Sequence, residues 1–280
     1  MTDHAAVTDV EAEHDISGRT VLSLKGATLA YGQRVLWRDL DLDLRAGEFV
    51  AVLGPNGSGK TSLLRVLLGQ QPLTAGSLMI NGRPQSRGSN LIGYIPQHRS
   101  VAAHTPLRAR DLVRLGIDGH RWGLPLGGGR VRRRVDELLT AVGAAAHADL
   151  PLGLLSGGEQ QRVRVAQALA TDPILLLCDE ALLSLDLNHQ RAVAGLVDQR
   201  RREHGTAVLF VTHEINPILQ YVDRVLYLAA GSFRIGPPEQ VMTSAVLSDL
   251  YGSPVEVIRA QGRFVVVGAP GSYDHGGETR

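Results

Sequence analysis

The sequence predicts an α/β fold in which a mostly parallel sheet carries an inserted, all-helical segment. Short apolar runs typical of buried strands, such as FVAVL (49–53) and ILLLC (174–178), alternate along the chain with helical patterns. This alternation indicates a parallel sheet with helical crossovers. Between about Thr105 and Ala170 only helical periodicity remains, which indicates an insertion into that core.

The elements before the insertion begin with β-structure. Residues 21–53 contain VLSLKGATLAY and LDLDL, which alternate at period two, and end in the buried run FVAVL. A helix is predicted over 60–69, and further strands over 76–80 and 91–95. We therefore expect the first half of the core to precede residue 98.

The insertion contains one clear amphipathic helix, and the strands resume after it. Its apolar stripe is formed by Val131, Val135, Leu138, Leu139 and Val142. Later strands are predicted at ILLLC, TAVLFV (206–211) and VDRVLYLA (222–229), and a final hairpin at VEVIRAQGRFVVV (255–267). The predicted organisation is a disordered tail (1–20), one domain (21–250) with its helical part at about 98–170, a hairpin (251–270) and a second disordered tail (271–280).

Composition narrows the functional classes. The chain has 280 residues and a formal net charge of +1, which does not favour nucleic-acid binding. The single cysteine, Cys178, excludes an internal disulfide and fits a reducing compartment. No apolar run approaches the roughly 18 residues that span a bilayer, and the acidic N-terminal stretch lacks a signal-like apolar core. We expect neither a membrane span nor export.

The segment GPNGSGKT (54–61) matches the phosphate-binding pattern G-x-x-x-x-G-K-[ST] and lies between a predicted strand and a predicted helix. Its glycines let backbone N–H groups turn toward an anion at the helix N-terminus. Lys60 is expected to reach the β- and γ-phosphates and Thr61 to bind Mg²⁺. The predicted nucleotide contacts are Gly54, Pro55, Asn56, Gly57, Ser58, Gly59, Lys60, Thr61 and Ser62.

Two carboxylates follow the buried run ILLLC. Asp179 is the predicted ligand of Mg²⁺, and Glu180 is the predicted base that polarises the attacking water. Two acids at a strand end are by themselves more often merely solvated. A strict phosphate loop elsewhere in the chain favours the catalytic interpretation.

A second glycine-rich segment, LLSGGEQQR (154–162), opens another helix. Ser156 and Glu159 fit a capping box, which needs no glycine. Gly157 and Gly158 occupy the first helical positions, where glycine lowers helix stability. Backbone without side chains at these positions indicates that a phosphate comes close to it. The phosphates bound by the first loop are already surrounded by that loop.

With these motifs in this order, residues 21–250 resemble the ATP-binding subunits of ABC transporters. The family also has an aromatic before the first loop, a glutamine, an acidic loop residue and a histidine, which match Tyr31, Gln97, Asp186 and His213. The resemblance implies a RecA-like P-loop NTPase core with an N-terminal antiparallel β subdomain. It also implies an ATPase that uses ATP and Mg²⁺.

The resemblance assigns roles that each have a simpler alternative. Tyr31 would stack on adenine, or be a half-buried strand aromatic. Gln97 would contact Mg²⁺ and the lytic water, or be a polar residue at a strand end. His213 would contact the γ-phosphate, or be a satisfied core histidine. The signature Ser156-Gly157-Gly158-Glu159, together with Asp186, would serve the nucleotide of a second subunit paired head to tail.

One segment departs from the family. Where the family has proline, threonine and serine, this chain has Ala181, Leu182 and Leu183. Glu180 and Asp186 are present, so we expect hydrolysis. The missing serine hydroxyl puts hydrogen bonding between subunits at this loop in doubt.

The resemblance further implies a peripheral subunit at the cytoplasmic face of a membrane. Its partners would be a second nucleotide-binding subunit, most simply a homodimer, integral-membrane permease subunits that dock near 97–116, and a separate extracytoplasmic metal-binding protein. Segments 92–100, 105–116 and 237–268 resemble the zinc and manganese import branch. The alternatives are a soluble ABC-type ATPase not coupled to transport and a nucleotide-binding module with impaired hydrolysis. The chain shows no coiled-coil insertion, second P-loop or basic face that would favour the former.

Overall fold

The computed structural model describes residues 18–97, 105–119 and 128–268. The strands are β1 (Thr20–Tyr31), β2 (Arg34–Arg45), β3 (Phe49–Leu53), β4 (Ala75–Ile80), β5 (Arg83–Pro84), β6 (Ile92–Ile95), β7 (Leu175–Asp179), β8 (Ala207–Val211), β9 (Arg224–Ala229), β10 (Ser232–Gly236), β11 (Glu256–Ala260) and β12 (Arg263–Val267). The helices are α1 (Lys60–Leu67), α2 (Ala109–Asp118), α3 (Gly128–Ala141), α4 (Gly157–Ala168), α5 (Leu187–His204), α6 (Pro238–Val241) and α7 (Ser244–Tyr251), with 3₁₀ turns at Ala145–His147, Leu152–Leu154 and Leu219–Tyr221.

The central sheet has six strands in the order β10-β9-β3-β8-β7-β6. All neighbouring pairs are parallel except β10 with β9, which is antiparallel. The α/β fold with a mostly parallel sheet is therefore confirmed.

Both faces of this sheet are covered, which explains the continuous apolar runs in the sequence. In β3, Phe49, Ala51 and Leu53 belong to the core cluster shared with the helical part of the chain. Val50 and Val52 point to the opposite face and belong to a second cluster with β1, β2 and α1. The alternation is the period-two geometry of a strand between two layers.

The N-terminal strands form a separate antiparallel sheet in the order β2-β1-β4-β5. The predicted antiparallel β part is thus confirmed. β1 begins at Thr20, the last residue of the predicted tail 1–20. Val21, Leu22 and Leu24 are buried, so the chain is already part of the sheet at this point. The rest of that tail (1–17), and residues 269–280 with the second predicted tail, lie outside the described residues.

Between β6 and β7 the described residues form helices and turns, with one isolated bridge between Arg108 and Pro151. On α3, Val135, Leu138 and Leu139 are buried, and Val131 packs against the same core cluster. The predicted apolar stripe is confirmed. Residues 98–104 and 120–127 of the predicted helical part lie outside the described residues.

The C-terminal hairpin pairs β11 with β12. Asn216 holds it against the segment that follows β8: the Asn216 amide nitrogen donates to the Phe264 carbonyl, and the Phe264 N–H donates to Asn216 Oδ1, both at 2.9 Å. Among residues 18–97, 105–119 and 128–268, no helix combines the length and apolar character needed to cross a membrane.

Candidate nucleotide site

The site residues lie at the carboxyl edge of the parallel sheet, where such sheets place ligands. Strands β3, β8, β7 and β6 are consecutive neighbours, and each ends at a residue or loop singled out in the sequence. In that order, the strands lead into the P-loop, His213, Asp179 with Glu180, and Gln97. The sheet order therefore lines these groups up along one edge.

The P-loop turns sharply between β3 and α1. Gly54 has a φ of 141°, and a Cβ there would lie 2.0 Å from the Leu228 carbonyl oxygen, so the position requires glycine. Lys60 is buried, and its Nζ donates to the carbonyl oxygens of Gly54 (2.7 Å) and Pro55 (3.1 Å). Ser58 Oγ is buried and has no hydrogen-bond partner within the described part of the chain. The turn therefore offers a phosphate group the positive charge of Lys60 and the hydroxyl of Ser58.

Burial lowers the pKa of Lys60, and the charges of Glu180 and Asp179 oppose this shift. The lysine therefore faces both carboxylates across the site. A bound phosphate would add negative charge beside Lys60 and favour its protonated form further.

Asp179 ends β7, and the Tyr94 hydroxyl donates to its Oδ2 at 3.0 Å. Burial raises the pKa of Asp179, and the Tyr94 hydrogen bond partly offsets that shift. A partly buried carboxylate is destabilised in its charged form unless a cation compensates it. Asp179 thus fits a position beside a bound cation.

Glu180 joins the ends of two neighbouring strands. Its φ is 47°, an uncommon left-handed conformation for a residue that is not glycine, and its N–H donates to the Val211 carbonyl at 2.9 Å. Glu180 Oε1 lies 2.5 Å from His213 Nε2, and Oε2 accepts from the Gln97 amide at 3.2 Å. The hydrogen bond to His213 holds the pKa of Glu180 below its ordinary value despite burial. The Glu180 carboxylate is therefore kept deprotonated, and His213 and Gln97 fix its orientation.

The signature segment starts α4 with a complete capping box, as predicted. Ser156 Oγ accepts from the Glu159 N–H at 3.4 Å, and the Ser156 N–H donates to Glu159 Oε2 at 2.8 Å. Glu159 Oε1 also lies 3.1 Å from His147 Nε2. Hydrogen bonds to the Glu159 carboxylate from the Ser156 backbone N–H and, second, from the Ser156 hydroxyl lower the pKa of Glu159.

Asp186 caps the next helix, α5. Its Oδ1 accepts from the N–H groups of Asn188 and His189, both at 3.0 Å. In the loop that precedes it, Ala181 and Leu182 are buried, whereas Leu183 is 43% exposed. The residues that depart from the family pattern thus split between core and surface.

The structure sorts the expected site residues into two groups. The first joins the P-loop, Asp179, Glu180, Gln97 and His213 through hydrogen bonds and charge interactions. In the described part of the chain, the hydrogen bonds of Ser156, Glu159 and Asp186 connect to none of the first group. Tyr31 is 50% exposed, and its hydroxyl donates to Gln71 Oε1 at 2.6 Å.

Several contacts at the site are not evident from the sequence. Tyr94 holds Asp179, Arg34 donates to the Gly57 carbonyl at 3.0 Å, and His189 contacts Asp186. The first two pairs are brought together by the fold. His189 lies three residues after Asp186, so only the rotamer of its side chain is not evident from the sequence. Of the expected docking surface at 97–116, residues 98–104 lie outside the described residues.

Comparison with known proteins identifies the family. The model of the family described as ABC transporter matches residues 37–183, which is more than half of the chain. The chain belongs to this family. The zinc import ATP-binding protein ZnuC of Yersinia pestis bv. Antiqua (strain Antiqua) is 36% identical over 83% of this chain and 85% of that protein. The hemin import ATP-binding protein HmuV of Streptomyces coelicolor (strain ATCC BAA-471 / A3(2) / M145) is 35% identical, over 86% of each chain.

A solved structure also matches this ABC subunit. It is the dimeric, post-hydrolysis state of the ATP-binding cassette MJ0796 bound to ADP and Pi, with a TM-score of 0.65 and 28% identity over 77% of this chain and 98% of that one. The predictions of an ATP-binding cassette fold, of ATP as the nucleotide and of ATP hydrolysis as the activity are confirmed. The protein is the ATP-hydrolysing subunit of an ABC transporter.

Proposed function

We propose that two copies of this ABC subunit pair head to tail around two ATP molecules, so that the P-loop of one copy faces the signature of the other. The observation that carries this proposal is the separation of the site residues into two groups. Among the residues that the structure describes, the hydrogen bonds of Ser156, Glu159 and Asp186 do not reach the P-loop group of the same chain. A second copy gives the signature a nucleotide to contact, and the solved relative is dimeric.

Within one composite site, each residue of the first group has a definite task. Lys60 places a positive charge at the β- and γ-phosphates, and the P-loop amides and Ser58 hydroxyl surround them. Glu180 is the carboxylate that accepts a proton from the attacking water, and its lowered pKa keeps it in the charged form that can do so at neutral pH. His213 and Gln97 hold the two oxygens of Glu180 and align it with that water. In the same site, Tyr31 offers an exposed ring on which adenine can stack.

Mg²⁺ fits the oxygen donors at the end of β7. Thr61 supplies a hydroxyl directly after Lys60, and Asp179 supplies a carboxylate at the end of β7. The described residues contain no cluster of three or more His, Cys, Asp or Glu side chains able to hold a metal. Mg²⁺ needs no such cluster, because it keeps several waters and binds one or two protein oxygens together with phosphates. When bound, it neutralises charge that develops on the phosphates during transfer.

We further propose that the paired subunits lie at the cytoplasmic face of the membrane and drive an integral-membrane permease. The cargo is a divalent metal ion, zinc or manganese, delivered by a separate extracytoplasmic binding protein. The zinc import relative supports this cargo, and the hemin import relative makes haem the second candidate. No nucleic acid takes part, since the net charge is +1.

Pairing is tested by mixing two differently broken subunits. Lys60→Ala removes the P-loop cation and leaves the signature intact, whereas Gly157→Asp adds a carboxylate that repels the γ-phosphate and leaves its own P-loop intact. Neither homodimer contains a whole site, but a mixed dimer contains one. We expect ATP-dependent dimerisation, measured by light scattering, to return only in the mixture. If both variants are folded and their subunits exchange, but ATP-dependent dimerisation does not return at any mixing ratio, the proposal of a composite site is wrong.

Cargo is tested by growth. Deleting the gene should create a requirement that added zinc or manganese relieves. Relief by haem alone would transfer the assignment to the second candidate and contradict the first. Reintroduction of the wild-type gene and of the Lys60→Ala variant provides the matched control, because only the former should restore growth without supplement.

A further inference from the structure

His189 lies in the first turn of α5, with its ring against the signature of the same chain. A Cβ built on Gly158 would lie 1.9 Å from His189 Cδ2 and 2.4 Å from Cγ. Gly158 is buried, so the imidazole occupies the space that any side chain at this position would need. The absence of a side chain at Gly158 therefore has a neighbour within the same subunit that explains it.

The same ring is fixed at its other side by Asp186. His189 Nδ1 lies 2.6 Å from Asp186 Oδ2, and the His189 backbone N–H donates to Asp186 Oδ1 at 3.0 Å. The backbone bond fixes the position of the carboxylate, and the contact at Nδ1 holds the imidazole in its rotamer. A single side chain thus connects the cap of α5 to the second residue of α4.

We propose that His189 is a positioning residue that locks Asp186 to Gly158, so that the loop 181–186 and the signature present one fixed surface. The imidazole gives Gly158 a reason, within its own subunit, to lack a side chain. The catalytic consequence rests on the proposed head-to-tail pairing, because both locked elements would face the nucleotide of the other copy. The contact between ring and glycine does not depend on pairing.

The geometry makes a specific prediction about coupling. A Cβ contact of 1.9 Å cannot be relieved by a shift of a few tenths of an ångström, so alanine at 158 must displace the imidazole from Asp186. Gly158→Ala and His189→Ala should then break the same connection. Substitutions that act through one connection are not additive, and their double variant shows the difference directly.

The experiment measures ATPase kcat and KM, together with thermal unfolding, for Gly158→Ala, His189→Ala and the double variant. We expect His189→Ala to lower kcat about three- to tenfold with KM for ATP unchanged, because its own P-loop is untouched. Gly158→Ala should lower kcat at least as much, and the double variant should match His189→Ala alone. Loss of kcat without a change in KM distinguishes positioning from general destabilisation.

Two controls narrow the interpretation. His204→Ala removes a histidine from the last turn of the same helix, far along α5 from Asp186, and should leave kcat unchanged. Gly157→Ala should not be rescued by His189→Ala, since the ring contacts described above are with Gly158. His189→Phe keeps a ring against Gly158 but cannot bond Asp186, so it should reproduce the loss of kcat.

The proposal is overturned if His189→Ala has the wild-type kcat, or if the double variant falls to the product of the two single losses. The latter result would mean that Gly158 must be bare for a phosphate. If Gly158→Ala does not fold, recovery of a cooperative unfolding transition in the double variant supports the proposal, and its absence contradicts it. If the subunits do not pair, unfolding midpoints of the four proteins still report the coupling between ring and glycine.

Discussion

Glu180→Gln separates nucleotide binding from hydrolysis. Glutamine has the same shape, and its one remaining carbonyl oxygen can still accept from either His213 or Gln97. The Glu180 N–H bond to Val211 and the left-handed backbone stay as they are. At most one hydrogen bond to the charged carboxylate is lost, so the free energy of unfolding should fall by no more than about 3 kcal/mol.

Turnover should be lost while the protein still folds and binds ATP. An amide cannot accept the proton of the attacking water, and loss of a general base typically lowers turnover by about 10²-fold or more. A hundredfold loss corresponds to about 2.7 kcal/mol of transition-state stabilisation. ATP affinity should remain, because Lys60 still faces Asp179 and the P-loop is unchanged.

The assay is phosphate release at saturating ATP, with ATP affinity measured by titration of the same protein. Glu214→Gln is the matched control, since Glu214 is exposed, lies one residue beyond His213, and undergoes the same carboxylate-to-amide change. A Glu180→Gln protein that hydrolyses ATP within about threefold of the wild type would remove Glu180 from its role as the base.

The contacts of His213 and of Asn216 each give a further prediction. His213→Ala removes the hydrogen bond that lowers the pKa of Glu180, so this pKa should rise. Since a base acts in its deprotonated form, the acidic limb of the kcat profile should move to higher pH, and an unmoved limb would contradict the assignment. Asn216→Ala removes both hydrogen bonds to Phe264 at a cost of about 1 to 3 kcal/mol. Amide hydrogen exchange should then accelerate across 256–267 but not in β3, and equal protection in both proteins would show that the clamp contributes nothing.

The sequence predicts the core of this fold because its signals are local. FVAVL, ILLLC and TAVLFV are unbroken apolar runs since both faces of the sheet are covered, and the P-loop pattern fixes its own strand–turn–helix context. The capping box Ser156–Glu159 is likewise set by residues three apart. Structure that depends only on residues close in sequence can therefore be predicted without knowing the fold.

What the sequence leaves open depends on strand order and rotamers. That Gln97 and His213 both reach Glu180 follows only once β6, β7 and β8 are neighbours. The Tyr94 contact with Asp179 requires the parallel pairing of β6 and β7. Gly158 shows this limit most clearly. Glycine is expected at this position whether a phosphate or an imidazole lies against it, so the sequence alone does not distinguish the two.

The loop that departs from the family does not weaken the position of Glu180. The turn after β7 is held by backbone atoms: the Glu180 N–H donates to Val211, and the Leu183 N–H donates to the Glu180 carbonyl at 3.0 Å. Neither bond needs the proline, threonine or serine that the family usually has there. Ala181 and Leu182 anchor the loop instead by burial in the core. The replaced residues therefore leave in place the backbone bonds that fix Glu180, and exposed Leu183 is the one that would meet a second copy in the proposed head-to-tail pair.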